Sequence, residues 1–269
     1  MFFYSAAAGS TFAGMYFIDT HSHLYLPEFS NDLNAILERS AAAGVEALYL
    51  PNINSSSIND MLQLEEQFPG KCYAMMGLHP CYVNENVKTE LQLVHNWLEQ
   101  RAFVAVGEIG LDYYWDTSFQ TQQKEAFEMQ IGWALERDLP IVIHSRNALA
   151  DCIDTVRRFQ NGKLRGVFHC FSGSLEEASQ IMELGFLMGI GGVITYKKSG
   201  LAEVVRHIPT EYLVLETDAP YLSPVPHRGK RNEPSYLSHI CKAVAEAKTC
   251  SEETIAAVTT ANARKLFGS

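Results

Sequence analysis

The chain has 269 residues, with 31 acidic against 21 basic side chains, a formal charge of −10 and 47% apolar residues. That is a globular composition, which excludes a disordered or fibrous chain. The acidic balance excludes a protein that coats nucleic acid by bulk charge, and the length fits two small domains or one barrel of about 250 residues.

Residues 1–14, MFFYSAAAGSTFAG, are small, apolar and uncharged. They lack the basic n-region and long h-region of a signal peptide, so they read as an extension outside a single domain over 15–269. No apolar run reaches the roughly 18 residues of a membrane-spanning helix, and no membrane association is expected. Cys72, Cys81, Cys152, Cys170, Cys241 and Cys250 lie far apart with no CxxC pair. Reduced thiols in a cytoplasmic protein are therefore expected, with a monomer as the expected state.

From there, short β-rich runs alternate with longer amphipathic ones. The strand candidates are YFIDTH (16–21), VEALYLPN (45–52), CYAMMGLH (72–79), FVAVGEIG (103–110), LPIVIH (139–144), RGVFHC (165–170), FLMGIGG (186–192) and YLVLETD (212–218). Most are continuously apolar, as strands buried on both faces are. The intervening stretches have helical spacing: Leu33, Ile36, Leu37 and Ala41 mark a stripe that Gly44 stops. Phe127, Ile131, Ala134 and Leu135 share a face of the longest such segment, 119–138. Eight β–α units in about 250 residues predict an α/β chain folded as a (β/α)8 TIM barrel, with an open doubly wound sheet as the rival.

Good metal ligands gather at the strand ends. The first run ends in Asp19-Thr20-His21-Ser22-His23, and the fourth in Gly107-Glu108-Ile109-Gly110. The fifth ends in His144, the sixth in His169 and the eighth in Glu216-Thr217-Asp218. C-terminal strand ends form the active-site face of a barrel. Alternate residues of a strand point the same way, so His21 and His23 can face one ion. Six candidate ligands (His21, His23, Glu108, His144, His169 and Asp218) are too many for one open tetrahedral ion. They suit two divalent ions about 4 Å apart that share a carboxylate, Glu108 being the natural bridge. Imidazole with carboxylate suits Zn²⁺, Mn²⁺, Fe²⁺ or Ni²⁺, whereas Mg²⁺ prefers more oxygen ligands. Asp218 can also take a proton from an attacking water; the alternative is a helix cap ahead of Pro220. His95, His207 and His239 fall in helical segments and read as structural.

Arg228, Lys230 and Arg231 follow the last strand within four residues, where barrels often bind phosphate. Lys197 and Lys198 could extend that patch, and Arg146 is a further candidate for a phosphate contact. Tyr113, Tyr114 and Trp115 could stack on a base or simply cover the rim. His79 could bind a phosphate or sugar oxygen, orient a water, or serve structure beside Pro80.

DTHSHL (19–24), GLHP (77–80), GEIGLDYY (107–114), PIVIHSR (140–146), FHCFSG (168–173), ETDAPYL (216–222) and PVPHRGKRNEP (224–234) together resemble the signature segments of TatD-type metal-dependent DNases. The resemblance runs in order from Met15 to Phe267. Related barrels with a His-x-His start usually carry a carboxylated lysine on the fourth strand, where this chain has Glu108. The resemblance implies a TIM-barrel hydrolase with one to three divalent metals, Mg²⁺, Mn²⁺ or Zn²⁺. It implies one ion on His21, His23, Glu108 and Asp218, and a second on Glu108, His144 and His169. It also implies a substrate lying beside His79 and the Arg228–Glu233 loop. The activity so implied is that of a deoxyribonuclease trimming single-stranded DNA 3′ to 5′, with Asp218 and Glu108 catalytic. The alternative is an amidohydrolase-like enzyme cutting an ester, lactone, amide or aminoacyl-tRNA ester.

Overall fold

The structure, a computed structural model, describes residues 14–268. The expected extension over 1–14 falls, except for its last residue, outside the described residues. Eight parallel strands form in chain order: β1 (Phe17–Asp19), β2 (Val45–Pro51), β3 (Cys72–Met75), β4 (Val106–Asp112), β5 (Ile141–Arg146), β6 (Gly166–Phe168), β7 (Leu187–Ile190) and β8 (Leu213–Leu215). Between and after them lie α1 (Leu33–Ala42), α2 (Ile58–Gln67), α3 (Val87–Gln100), α4 (Gln120–Glu136), α5 (Leu149–Phe159), α6 (Leu175–Glu183), α7 (Leu201–His207), α8 (Leu237–Lys248) and α9 (Glu252–Phe267).

The architecture is of the (β/α)8 TIM-barrel type, as the eight-unit arithmetic predicts. The ladder runs as two sheets, β1-β2-β3 and β4-β5-β6-β7-β8. Short contacts join them. Met76 N–H donates to Ala105 O at 3.2 Å at one seam, and Thr20 N–H donates to Leu215 O at 3.1 Å at the other. Beyond the second seam Asp218 N–H reaches His21 O at 2.9 Å, and His23 N–H reaches Ala219 O at 2.8 Å.

Two apolar layers follow from strand alternation. Ile18, Tyr49, Met75, Val142, Val167 and Val214 form one cluster with Ala263 and Phe267 of α9, so α9 packs against this inner set. The opposite faces pack against the surrounding helices, where Phe127, Ile131 and Ala134 of α4 are fully covered. The apolar stripe of α1 departs from its expected course at one position. In α1, Ile36 and Leu37 are buried as expected, but Ala41 is exposed and Ser40 is the buried neighbour. The stripe drifts around the helix by one position, because 3.6 residues per turn do not keep an i, i+4, i+8 series on one face.

Six strands end short of the runs that predict them, whereas β4 and β5 run on to Asp112 and Arg146. β8 stops at Leu215, so Glu216, Thr217 and Asp218 lie in the loop that leaves it. Among the described residues, no helix is long and apolar enough to cross a membrane. All six cysteines are free thiols.

Candidate metal centre

The six residues singled out as ligands meet at one end of the barrel. Within limits of 4.8 Å, donor atoms of His21, His23 and Glu108 form one group, those of His21, His169 and Asp218 a second, and those of Glu108, His144 and His169 a third. Glu108 stands at the centre and is 2% exposed. Its Oε2 lies 3.1 Å from Nε2 of His21 and 3.6 Å from Nε2 of His23. Its Oε1 lies 2.9 Å from Nδ1 of His144 and 3.3 Å from Nε2 of His169. The two oxygens of one carboxylate thus address two different histidine pairs, the geometry of a bridge. Asp218 Oδ1 closes the first group, 3.6 Å from His23 and 3.9 Å from His21.

The backbone explains how these side chains are aimed. Asp218 adopts φ +57°, a left-handed conformation that aspartate tolerates better than most residues, and Cys170 just after His169 adopts φ +49°. Such turns at the strand exits redirect the chain within one residue. No helix starts at Asp218: the next helical turn begins at Pro234, so the cap alternative fails. Close approach is also needed. A side chain at Gly110 would meet His144 O at 2.1 Å, and one at Gly189 would meet the Glu216 carboxylate at 2.1 Å.

The far edges of the rings show which nitrogen is free to bind. Tyr25 spends its only hydroxyl proton on Pro51 O, so its oxygen must accept from Nδ1 of His23, 2.8 Å away. His144 Nε2 lies 2.8 Å from Asp112 Oδ2, and His169 Nδ1 lies 3.1 Å from Glu216 Oε1. Three rings are therefore held at the outer nitrogen by an oxygen acceptor, which turns the other nitrogen's lone pair inward, the arrangement usual for metal-binding histidines. His21 and His23 present Nε2 to each other at 3.2 Å. With the His23 proton on Nδ1, His23 turns its Nε2 lone pair toward His21 and Glu108. The donor set fits divalent ions.

Charge states divide the four rings. Burial and neighbouring imidazoles push His21 down to about 4 and hold His23 well below its ordinary value, so both offer lone pairs. Burial disfavours charge on His144 and His169, yet adjoining carboxylates (Asp112 and Glu108 for the first, Glu216 and Glu108 for the second) hold both above the usual value. Burial likewise opposes ionised Glu108, but His79, His21 and His169 outweigh it and keep the carboxyl low. Asp218, 13% exposed, is pushed by burial up to about 8.

The remaining expected residues are placed less uniformly. His79 joins the centre: Nε2 lies 3.3 Å from Glu108 Oε1, and Nδ1 accepts Cys81 N–H at 3.0 Å. Arg146 lies at the exposed end of β5. Arg228 and Lys230 are exposed, with Arg228 over the Tyr196 ring at 4.4 Å. Arg231 instead pairs with Asp32 at 2.6 Å and donates to Glu28 O. Lys197 and Lys198 are exposed after β7, whereas His95, His207 and His239 lie in α3, α7 and α8. Sequence reasoning missed Asp112, Glu216 and Tyr25 as ring-orienting groups, and it missed Cys81, whose thiol groups with His79 and His144. Asp112 and Glu216 stand inside the motif segments GEIGLDYY and ETDAPYL, which was the available signal.

Comparison with known proteins agrees with this geometry. Residues 18–268 match the family model of TatD-related DNases. A Bacillus subtilis protein described as an uncharacterized metal-dependent hydrolase, YabD, is 38% identical over 250 residues, covering 93% of this chain and 98% of that protein. The 3′-5′ ssDNA/RNA exonuclease TatD of Edwardsiella piscicida is 34% identical, covering 93% of this chain and 98% of its own. Among solved structures, the TatD homologue YJJV of Escherichia coli K12 superposes with a TM-score of 0.89 at 34% identity, over 94% of this chain and 98% of that one.

Proposed function

The chain belongs to the TatD-related DNase family of metal-dependent hydrolases, and from that membership we propose that it cleaves phosphodiester bonds of single-stranded DNA, working inward from the 3′ end. The observation that carries the hydrolytic part is Glu108, whose two oxygens are divided between the His21–His23 pair and the His144–His169 pair. The nucleic-acid part is supported by exposed cations, Arg146 at the end of β5 and Arg228 and Lys230 on the loop after β8. It is supported too by the Edwardsiella relative, a 3′-5′ ssDNA/RNA exonuclease.

On this reading His21, His23, Glu108 and Asp218 would hold one divalent ion, and Glu108, His144 and His169 would hold a second. Bound there, Mg²⁺, Mn²⁺ or Zn²⁺ supplies Lewis acidity toward water and toward phosphate oxygens. Asp218 accepts the proton of the attacking water; burial alone holds a proton on this carboxyl up to about 8, and a bound cation beside it would keep it ionised and able to act as the base. His79 hydrogen-bonds a non-bridging phosphate oxygen through Nε2. Arg146, Arg228 and Lys230 offset charge along the backbone, Arg146 and Arg228 being able to grip a phosphate with two N–H groups. Arg231, committed to Asp32, fixes the loop that carries the other two.

A panel of single-stranded DNA, duplex DNA, RNA and small carboxylic esters, each with Mg²⁺, Mn²⁺ and Zn²⁺, tests the reading. Cleavage of single-stranded DNA that disappears in Glu108→Ala and His144→Ala is the expected result. Turnover of carbonyl esters with every nucleic acid left intact would overturn it.

A further inference from the structure

Two large aromatic side chains stand in solvent beside the metal centre: Tyr114 is 51% exposed and Trp115 69%. Their position is fixed by a group that also serves the centre. Asp112 Oδ1 accepts the backbone N–H of Tyr114 at 2.9 Å and of Trp115 at 3.2 Å. Oδ2 of the same carboxylate meets Nε2 of His144 at 2.8 Å. One buried side chain thus ties the aromatic turn to a ring whose other nitrogen faces Glu108. The two aromatic rings meet edge to face, with centroids 4.9 Å apart at 88°. Arg146, two residues beyond His144, lays its guanidinium 3.7 Å from the Tyr114 centroid and 5.2 Å from that of Trp115. Tyr113 is excluded from this surface, because it packs against the core and its hydroxyl donates to Asp151 at 2.8 Å.

A ligand for this surface needs a flat π face next to a negative charge. A nucleotide with an unpaired base has both, whereas a neutral ester or an aliphatic peptide has neither. We propose that Tyr114, Trp115 and Arg146 form a nucleotide subsite: a base stacks on the Trp115 indole, and the adjoining phosphate pairs with Arg146. The Tyr114 ring holds Arg146 in place by cation–π contact. Bases in a duplex are already stacked on each other, so the subsite selects single strands that still carry their bases. This rests on the nuclease reading above and adds to it the feature of the strand that is recognised.

The test uses the full chain carrying Asp218→Asn to halt turnover, alone and combined with Trp115→Ala, Trp115→Phe or Arg146→Ala. The probes are a labelled oligothymidylate and a series of the same strand lacking one base in turn, with binding read by anisotropy and tryptophan emission. Trp97 and Trp133 are partly buried, so strand-dependent quenching reports mainly on Trp115. Trp115→Ala should weaken the intact strand about tenfold and leave one base-deleted strand bound as before. Trp115→Phe should keep affinity within about twofold while the quenching disappears. Arg146→Ala should weaken intact and base-deleted strands alike, and lower the salt dependence by about one charge. The subsite is overturned if Trp115→Ala binds the intact strand as tightly as its parent, or weakens every strand equally. Cleavage by the chain with Asp218 restored is measured in parallel. No cleavage of any nucleic acid would sink the nuclease reading itself, whereas cleavage alongside unchanged Trp115→Ala binding would sink only the subsite.

Discussion

Asp112 Oδ2 stands 2.8 Å from Nε2 of His144, and the opposite nitrogen of that ring faces Glu108 Oε1 at 2.9 Å. The carboxylate therefore decides which nitrogen of His144 is available to an ion. Asp112 also accepts the Tyr114 and Trp115 amides, which help His144 to hold it below the usual carboxylate range against the effect of its burial. In Asp112→Asn a single acceptor oxygen replaces two, so either the ring or the amides lose a partner. The dissociation constant for Mn²⁺ should rise about 10- to 100-fold, as loss of a ring-orienting partner does elsewhere. Calorimetric titration checks this; an unchanged constant would show that His144 is aimed by packing alone.

Metal affinity should depend on pH in a defined direction. Without a cation, Asp218 keeps its proton up to about 8, and His144 and His169 are held above their ordinary values. An ion has to displace those protons, whereas His21, pushed down to about 4, has none to lose at neutrality. Apparent affinity should rise with pH and level off above about 8. Titrations in buffers of differing ionisation enthalpy should register the released protons near pH 7. Equal affinity at pH 6 and pH 8 would contradict the protonation states described.

The barrel and the cluster of candidate ligands are legible in the sequence for different reasons. Continuously apolar runs such as LPIVIH have few other places to go than a strand buried on both faces. His21-x-His23 states its own geometry, since alternate residues on an extended segment share a side. Less can be read where partners are remote in sequence. Nothing local indicates that Glu216 meets the outer edge of His169, 47 positions away, or that Tyr25 orients His23 by spending its own proton on Pro51. Arg231 resembles Arg228 and Lys230 in composition alone; only the fold sets it against Asp32 of the segment before α1.

The seam between β1 and β8 should be sensitive to Asp19. This fully buried carboxylate accepts Thr217 N–H at 2.9 Å and the Thr217 hydroxyl, tying the first strand to the exit of the last. Asp19→Ala leaves those donors buried without an acceptor, at a cost of about 2–4 kcal/mol. Burial pushes Asp19 up to about 7, whereas the unfolded chain has an ordinary carboxyl near 3.8. Its contribution is thus fully present below pH 3.8 and is lost as pH rises through about 7. In metal-free protein, the uncharged Asp19→Asn should gain on the wild type in urea melts over that interval. A constant difference between them would mean that Asp19 folds already ionised.

The loop that carries Arg228 and Lys230 is anchored to α1. Glu233, at its end, is buried and receives two bonds from Arg39 of α1, Nε at 2.9 Å and a terminal nitrogen at 2.6 Å. Ser235 adds a third donor. Such a two-point grip fixes orientation as well as distance. Arg39 is about half exposed, so solvent screens much of the attraction, and Arg39→Ala should cost only about 1–2 kcal/mol of stability. Its larger effect should fall on the substrate. If Arg228 and Lys230 meet phosphate, releasing the loop raises KM for oligonucleotides several-fold while kcat changes little. Glu233→Gln, which keeps the shape and weakens the pair, should give a smaller shift in the same direction. In the doubly altered Arg39→Ala, Glu233→Ala chain, the coupling should account for most of the single-variant losses. A fall in kcat at constant KM would place the loop's influence on the metal centre rather than on the strand.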